Sequence, residues 1–407
     1  MTERNGHKSR NIVFELRQPK RKTPGGNFSA TLRLTSYCGE LRMKNKIVVV
    51  PSLKELIVRS PGFAKKQLST WKLDLLALCG FGCGYCSSIH GNYLRINRSR
   101  FVAMTEEQVG HGLLPSEDPA LTFVYPDIIE KLEKQLQRND PTWGTGETIV
   151  VSMLTDPFSP PVLSDGTTMK ALQLLLEHTG FRIRILTKST AVASPEFLLL
   201  YREHQGRFVI GLSIGGTDDS WARKIELGTS TPSARLRALE TLQAQGIPTF
   251  GMLCPIFPDV LVDRALEELV RRINPDIVEH VWAEPYNDRQ NWKGVRASYP
   301  KGSATHDWFT RVFEQKEKAL WSRYATEIYT RLRDEARRGG WIHKLRFLLY
   351  EGDITPNDAQ QFAGLEGVLL QCKPGDGGLS KNPSIAALQR KLTSTSSAYS
   401  DRSWVES

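Results

Sequence analysis

Long apolar runs are missing from this 407-residue chain: nothing approaches the roughly 20 residues that a membrane-spanning helix requires. The start, MTERNGHKSRNIVFELRQPKRKTPGGN, also lacks the apolar block of a secretory signal. The expected compartment is therefore the cytoplasm, with no membrane partner. Cysteine is scarce, with six in all, and three of them, Cys79, Cys83 and Cys86, fall within eight residues while Cys38, Cys254 and Cys372 are scattered. A secreted disulfide framework spreads an even set through a short chain, whereas a cytosolic cluster reads as metal-binding. No internal repeat of supersecondary length is present. Acidic residues are in deficit, 44 against 54 Lys and Arg, and the formal charge is +10. Part of the excess lies in Lys8, Arg10, Arg17, Lys20, Arg21 and Lys22. Such a tail either favours a polyanion such as nucleic acid or serves solubility alone.

What is present is an alternation. Trp71–Leu78 reads as a buried strand, followed by β-branched or alternating runs over 147–153, 181–186, 208–213, 248–254 and 276–283. Between them lie helical stripes over 125–138, 164–178, 195–205, 231–245 and 260–273. Near-continuously apolar strands alternating with amphipathic helices specify a parallel sheet. Six units predict an α/β fold, a partial, open (β/α)₆ barrel over 71–300 with its site at the C-terminal strand ends. Residues 1–70 are expected as a basic extension, 301–382 as a mainly helical region, and the Ser-rich 383–407 as a disordered tail.

The loop after the first strand reads Cys79-Gly-Phe-Gly-Cys83-Gly-Tyr-Cys86. Three thiolates on one tight loop can each take one iron of a [4Fe–4S] cubane, leaving the fourth open to a chelating ligand. Gly80, Gly82 and Gly84 let the backbone fold close to the sulfides and donate amides to them. The other reading is a structural zinc site, since His90 completes a Cys₃His set. In that case the chain is a zinc-stabilised nucleic-acid-binding protein without catalytic activity. The loop's place at the head of a β/α series, with polar residues at the following strand ends, speaks for the cluster.

Cys-x₃-Cys-x₂-Cys with Tyr85 before the third cysteine resembles the signature of the radical S-adenosylmethionine (SAM) superfamily. VSMLTDPFSP (151–160), ILTKS (185–189), the segment from GLSIGG (211–216) to CPIFP (254–258), and AEPYN (283–287) resemble, in the same order, blocks of its spore photoproduct lyase-like branch. The likeness covers about residues 71–290. It implies an enzyme in which a reduced cluster on Cys79, Cys83 and Cys86 cleaves SAM to a 5′-deoxyadenosyl radical, which takes hydrogen from a substrate. The reaction type stays open among lyase, transferase and isomerase. A reductase or a flavodoxin- or ferredoxin-type donor would supply the electron.

By the same resemblance, Tyr85 lies near the adenine region, Lys188 binds the SAM carboxylate, and Ser213 bonds the methionine or ribose part. Thr155 and Asp156 fall where the SAM amine is held, and Ile256, with Pro255, falls on the adenine wall. Each has a plainer alternative: a core aromatic for Tyr85, a strand-end cap for Ser213, a turn cap for Asp156, strand packing for Ile256. Glu284 and Asn287 end the sixth strand and face the substrate side as catalytic candidates. Glu226 and Arg235 are further candidates, each with a plainer reading as a solvated or structural charge. Two departures argue against thymine-dimer repair: no cysteine stands near Met153 and Leu154, and Ser87 replaces a second tyrosine. The favoured substrate is nucleic acid or a nucleotide-like compound.

Overall fold

The β-branched runs become strands, and most helices start and stop near the punctuation that the sequence supplies. A computed structural model describes residues 45–400 except 52, 91–93, 95 and 289, with side chains described as far as 393. The basic residues of the tail, Lys8 to Lys22, and Cys38 lie outside the described residues.

Twelve strands are present among the described residues: β1 (Lys46–Val49), β2 (Ile57–Arg59), β3 (Trp71–Leu73), β4 (Leu76–Leu78), β5 (Leu121–Val124) and β6 (Thr148–Val151). They continue as β7 (Arg182–Thr187), β8 (Phe208–Ser213), β9 (Thr249–Ile256), β10 (Val281–Pro285), β11 (Leu345–Leu349) and β12 (Val368–Leu370). Nine form one open sheet in the order β12-β11-β10-β9-β8-β7-β6-β3-β2. Every pairing in it is parallel except β2 with β3.

Three expectations are corrected. The strand placed over 71–78 is two strands, because Asp74 interrupts the apolar run and pairs with Lys72 at 2.7 Å. After this break β3 stays in the large sheet, while β4 pairs antiparallel with β5 in a three-stranded sheet that also holds β1. Residues 57–59, placed in the extension, supply an edge strand of the large sheet. The region 301–382 is mainly helical as expected, with the long helix Lys318–Arg338, and its strands β11 and β12 extend the six parallel strands of 71–300 to eight. The tail from 383 begins as the helix Pro383–Ser400, seated by buried Ile385 and Ala386; residues 401–407 lie outside the described residues.

Strand side chains alternate between two faces. One face, with Ile183, Ile185, Ile210, Leu212, Val281, Ala283 and Phe347, packs under the helices Thr167–His178, Pro195–Glu203, Pro232–Ala244, Ala265–Ile273 and Lys318–Arg338. The other gathers Val150, Val209, Phe250, Met252, Trp282 and Leu348 around Phe63 and Leu68 of the segment before β3. Arg184 crosses this inner layer, its guanidinium 5.0 Å from the Trp282 ring and 5.4 Å from Phe250, and donates to the Leu68 carbonyl. Trp282 Nε1 donates to the Lys66 carbonyl at 2.8 Å. The inner face is thus filled at its lower end. One further step of the same alternation brings Lys188, Ser213, Cys254, Glu284 and Tyr350 to the C-terminal ends of five adjacent strands.

Candidate active site

The cysteine loop leaves β4 and is pinned to the helix Asp219–Ile225 by main-chain contacts. Cys83 forms an isolated antiparallel bridge with Glu226, Gly84 N–H donates to the Ile225 carbonyl at 2.8 Å, and Gly228 N–H donates to Phe81 O at 2.9 Å. Glycine is needed where the loop presses on its neighbours. A Cβ on Gly80 would stand 1.9 Å from Thr122 Oγ1, one on Gly84 would stand 2.8 Å from Ile225 Cδ1, and Gly82 has φ +60°. Gly80→Ala is therefore expected to shift the loop, lower apo-protein stability by about 1–3 kcal/mol and reduce iron uptake on reconstitution. Adding Thr122→Ala, which removes the clashing hydroxyl, restores both. Iron uptake unchanged by Gly80→Ala would show that the close packing does not set the loop.

Cys79, Cys83 and Cys86 are all free. Burial pushes the Cys79 thiol well above its ordinary value, and Cys86 and Asp156 nearby add to this. Burial and then Glu226 do the same to Cys83. Thiols raised in this way, Cys79 and Cys83, become thiolates only against a compensating cation, which bound iron would provide. Three cysteines free of disulfides on one loop fit an iron–sulfur cluster, in which each thiolate would give one iron a ligand. Among the described residues no group of three or more His, Cys, Asp or Glu is gathered around one ion position. Burial lowers the His90 pKa from its ordinary value, with Asp288 and the Gly84 main chain opposing this.

Beside the loop, Lys188 Nζ donates to Ser213 Oγ at 2.6 Å and stands 3.4 Å from Glu226 Oε1 and 5.4 Å from the Tyr85 ring centroid. Tyr85 donates its hydroxyl to Glu226, and Arg235 pairs with the same carboxylate. Ser213 Oγ in turn donates to the Cys254 carbonyl at 2.9 Å. The rim continues from there: Cys254 Sγ donates to Glu284 Oε2 at 3.3 Å, Tyr350 donates to Glu284 Oε1 at 2.7 Å, and Lys66 Nζ lies 3.5 Å from Oε2. A polar band thus runs from the cysteine loop to the far strands.

The structure brings together Tyr85, Lys188 and Ser213, and sets Glu284 on the same band. Asp156 is spent locally: it accepts from Thr187 Oγ1 at 2.7 Å and from the Lys188 and Phe158 amides at 2.8 and 2.9 Å. Burial nevertheless keeps its carboxyl above the ordinary value. Thr155 Oγ1 is buried with no hydrogen-bond partner. Ile256 is fully buried in the main core, and Asn287 is half-buried just beyond β10. Glu226 and Arg235, candidates with a plainer reading as solvated or structural, are buried charges bonded to the site. The signal for Arg235 was its place on the apolar stripe of its helix, with Leu236, Leu239 and Leu242. No pattern marked Lys66 or Tyr350, which reach Glu284 from separate elements.

No family model matches the chain. Uncharacterized proteins of Mycobacterium tuberculosis and Mycobacterium bovis are 27% identical over 185 residues, 45% of this chain and 48% of theirs. The chain thus spans about half the length of the curated relatives it matches. Among solved structures, spore photoproduct lyase complexed with dinucleoside spore photoproduct is 17% identical with a TM-score of 0.40, covering 64% of this chain and 68% of that one. A single-site mutant of spore photoproduct lyase is 18% identical with a TM-score of 0.39, over 63% of this chain and 66% of that one, just under two thirds. A chain titled anSMEcpe with bound AdoMet is 12% identical with a TM-score of 0.39, over 66% of this chain and 59% of that one.

Proposed function

We propose that this chain is a radical SAM enzyme, with Cys79, Cys83 and Cys86 holding a [4Fe–4S] cluster. The observation that carries the reading is the set of three free cysteines on a glycine-packed loop, facing an ammonium, Lys188, at the C-terminal ends of parallel strands. When bound and reduced, such a cluster supplies the electron that splits SAM into methionine and a 5′-deoxyadenosyl radical.

The chain's own residues do the positioning. Lys188 offers its charge to the SAM carboxylate, and Ser213 fixes the ammonium at 2.6 Å. Thr155 Oγ1, buried without a hydrogen-bond partner, is a further group offered to SAM. Phe63, Leu68 and Trp282 exclude water from below, and a radical needs that exclusion. Cys254, Glu284, Tyr350 and Lys66, with Asn287 beyond β10, line the side left for substrate. Within this proposal the substrate is nucleic acid or a nucleotide-like compound, in keeping with the net charge of +10. A reductase or a flavodoxin- or ferredoxin-type protein supplies the electron.

Anaerobic reconstitution with iron and sulfide is expected to give about four irons per chain and a broad absorption band near roughly 400 nm. Addition of dithionite and SAM is expected to release 5′-deoxyadenosine. One zinc per chain, no colour and intact SAM would overturn the reading.

A further inference from the structure

Beside the cysteine loop two cations and one carboxylate are sealed together. Glu226, its side chain 5% exposed, follows the helix Asp219–Ile225, and Arg235, 1% exposed, lies in the helix Pro232–Ala244. One Glu226 oxygen pairs with Arg235; the other takes the Tyr85 hydroxyl and stands 3.4 Å from Lys188 Nζ. With one negative and two positive charges, the set has one positive charge in surplus. Arg235 cannot present it, because its guanidinium is closed off by Glu226 and the Ser213 carbonyl. The surplus therefore sits on Lys188, whose side chain is 14% exposed where the others are almost fully covered.

A free lysine chain swings its ammonium into water, through several rotatable bonds. Here it is caught between Ser213 Oγ and Glu226, over the Tyr85 ring. The residue that catches it also bridges Cys83 through its main chain and holds Tyr85 through its side chain. One residue thus fixes the ammonium relative to the loop.

We propose that Glu226 is the positioning residue of this site. It holds Lys188 against the cysteine loop, so that the surplus positive charge is presented to a carboxylate bound between them. The proposal deepens the radical SAM reading, and rests on it for identifying that carboxylate as the one on SAM. The positioning role is separable from the neutralising of Arg235. Arg235→Met leaves Glu226 facing Lys188 one to one, whereas Glu226→Gln/Arg235→Met leaves no buried uncompensated pair but frees Lys188.

The test labels the full apo chain with an amine acetylating reagent and follows the Lys188 peptide by mass spectrometry, with folding of each variant checked by circular dichroism. Wild type and Arg235→Met are expected to label slowly. The double variant is expected to label roughly tenfold faster, because the ion pair of Lys188 with Glu226 at 3.4 Å is lost. Equal rates in Arg235→Met and the double variant overturn the proposal. On reconstituted protein the double variant is expected to raise the KM for SAM about tenfold without a matching fall in kcat; a fall in kcat alone overturns it. A wild type that never cleaves SAM sinks the radical SAM reading instead, and the labelling rates still decide whether Glu226 holds Lys188.

Discussion

Cys83→Ala is expected to abolish reductive SAM cleavage to the reagent background and to bleach the reconstituted protein, while the apo chain keeps its fold. Cys83 is the most buried of the three loop cysteines, and its neighbours hold the loop without its sulfur. The bridge to Glu226 and the bond from Gly84 N–H to the Ile225 carbonyl are main-chain contacts, which alanine preserves. Removing one sulfur from a packed loop costs about 1 kcal/mol in the apo protein. Far-UV circular dichroism and the apo denaturation midpoint should therefore stay close to wild type. Iron per chain should fall well below the wild-type figure, and 5′-deoxyadenosine should not form. Continued release of 5′-deoxyadenosine by Cys83→Ala would show that these cysteines do not hold the reacting cluster.

The strands were the most legible part of the fold, and the reason is visible in β8. Phe208–Ser213 is buried at every position, so its near-continuous apolar run marks it without ambiguity. The run over 71–78 misled because both of its halves are apolar strands; only Asp74 records the turn out of one sheet into another. β12 was hidden by the charged helical character of the region around it, being only three residues long and half-buried. Within the site, Lys188 and Ser213 could be found because each ends a strand of clear pattern. For Glu226 and Arg235 the sequence left site, structural and solvated roles open, because a charge at or beside a helix is ordinarily solvated. What decides their burial is a neighbour many residues away: Tyr85 and Cys83 from the loop, Lys188 from β7. The alternation of Arg184, Leu186 and Lys188 along β7 does encode the depth of each residue. It does not encode which partner waits there.

Glu226→Gln is expected to destabilise the apo chain by about 3–5 kcal/mol, the range found when one partner of a buried ion pair is removed. Glutamine keeps the size of the side chain and can still accept from Tyr85, so the loss comes from charge. It leaves Arg235 and Lys188 as two cations facing each other without an anion. Arg235→Met should cost less, about 1–3 kcal/mol, because Glu226 then still faces Lys188. The double variant should regain much of the loss seen in Glu226→Gln alone. The acid response should follow the same cause. Burial by itself would raise the Glu226 carboxyl, but Arg235 and Lys188 bring it from its ordinary 4.5 down to about 2. A depressed carboxyl contributes stability in full above its ordinary value and loses it as pH falls through the folded one. The gap between wild type and Glu226→Gln should therefore be constant near neutrality and narrow below pH 4.5 toward about 2. Denaturant titrations of the apo chains at several pH values measure it. A gap under about 1 kcal/mol at neutral pH would place the Glu226 charge in water, where its loss is nearly free, and would remove the electrostatic frame that holds Lys188 beside the cysteines.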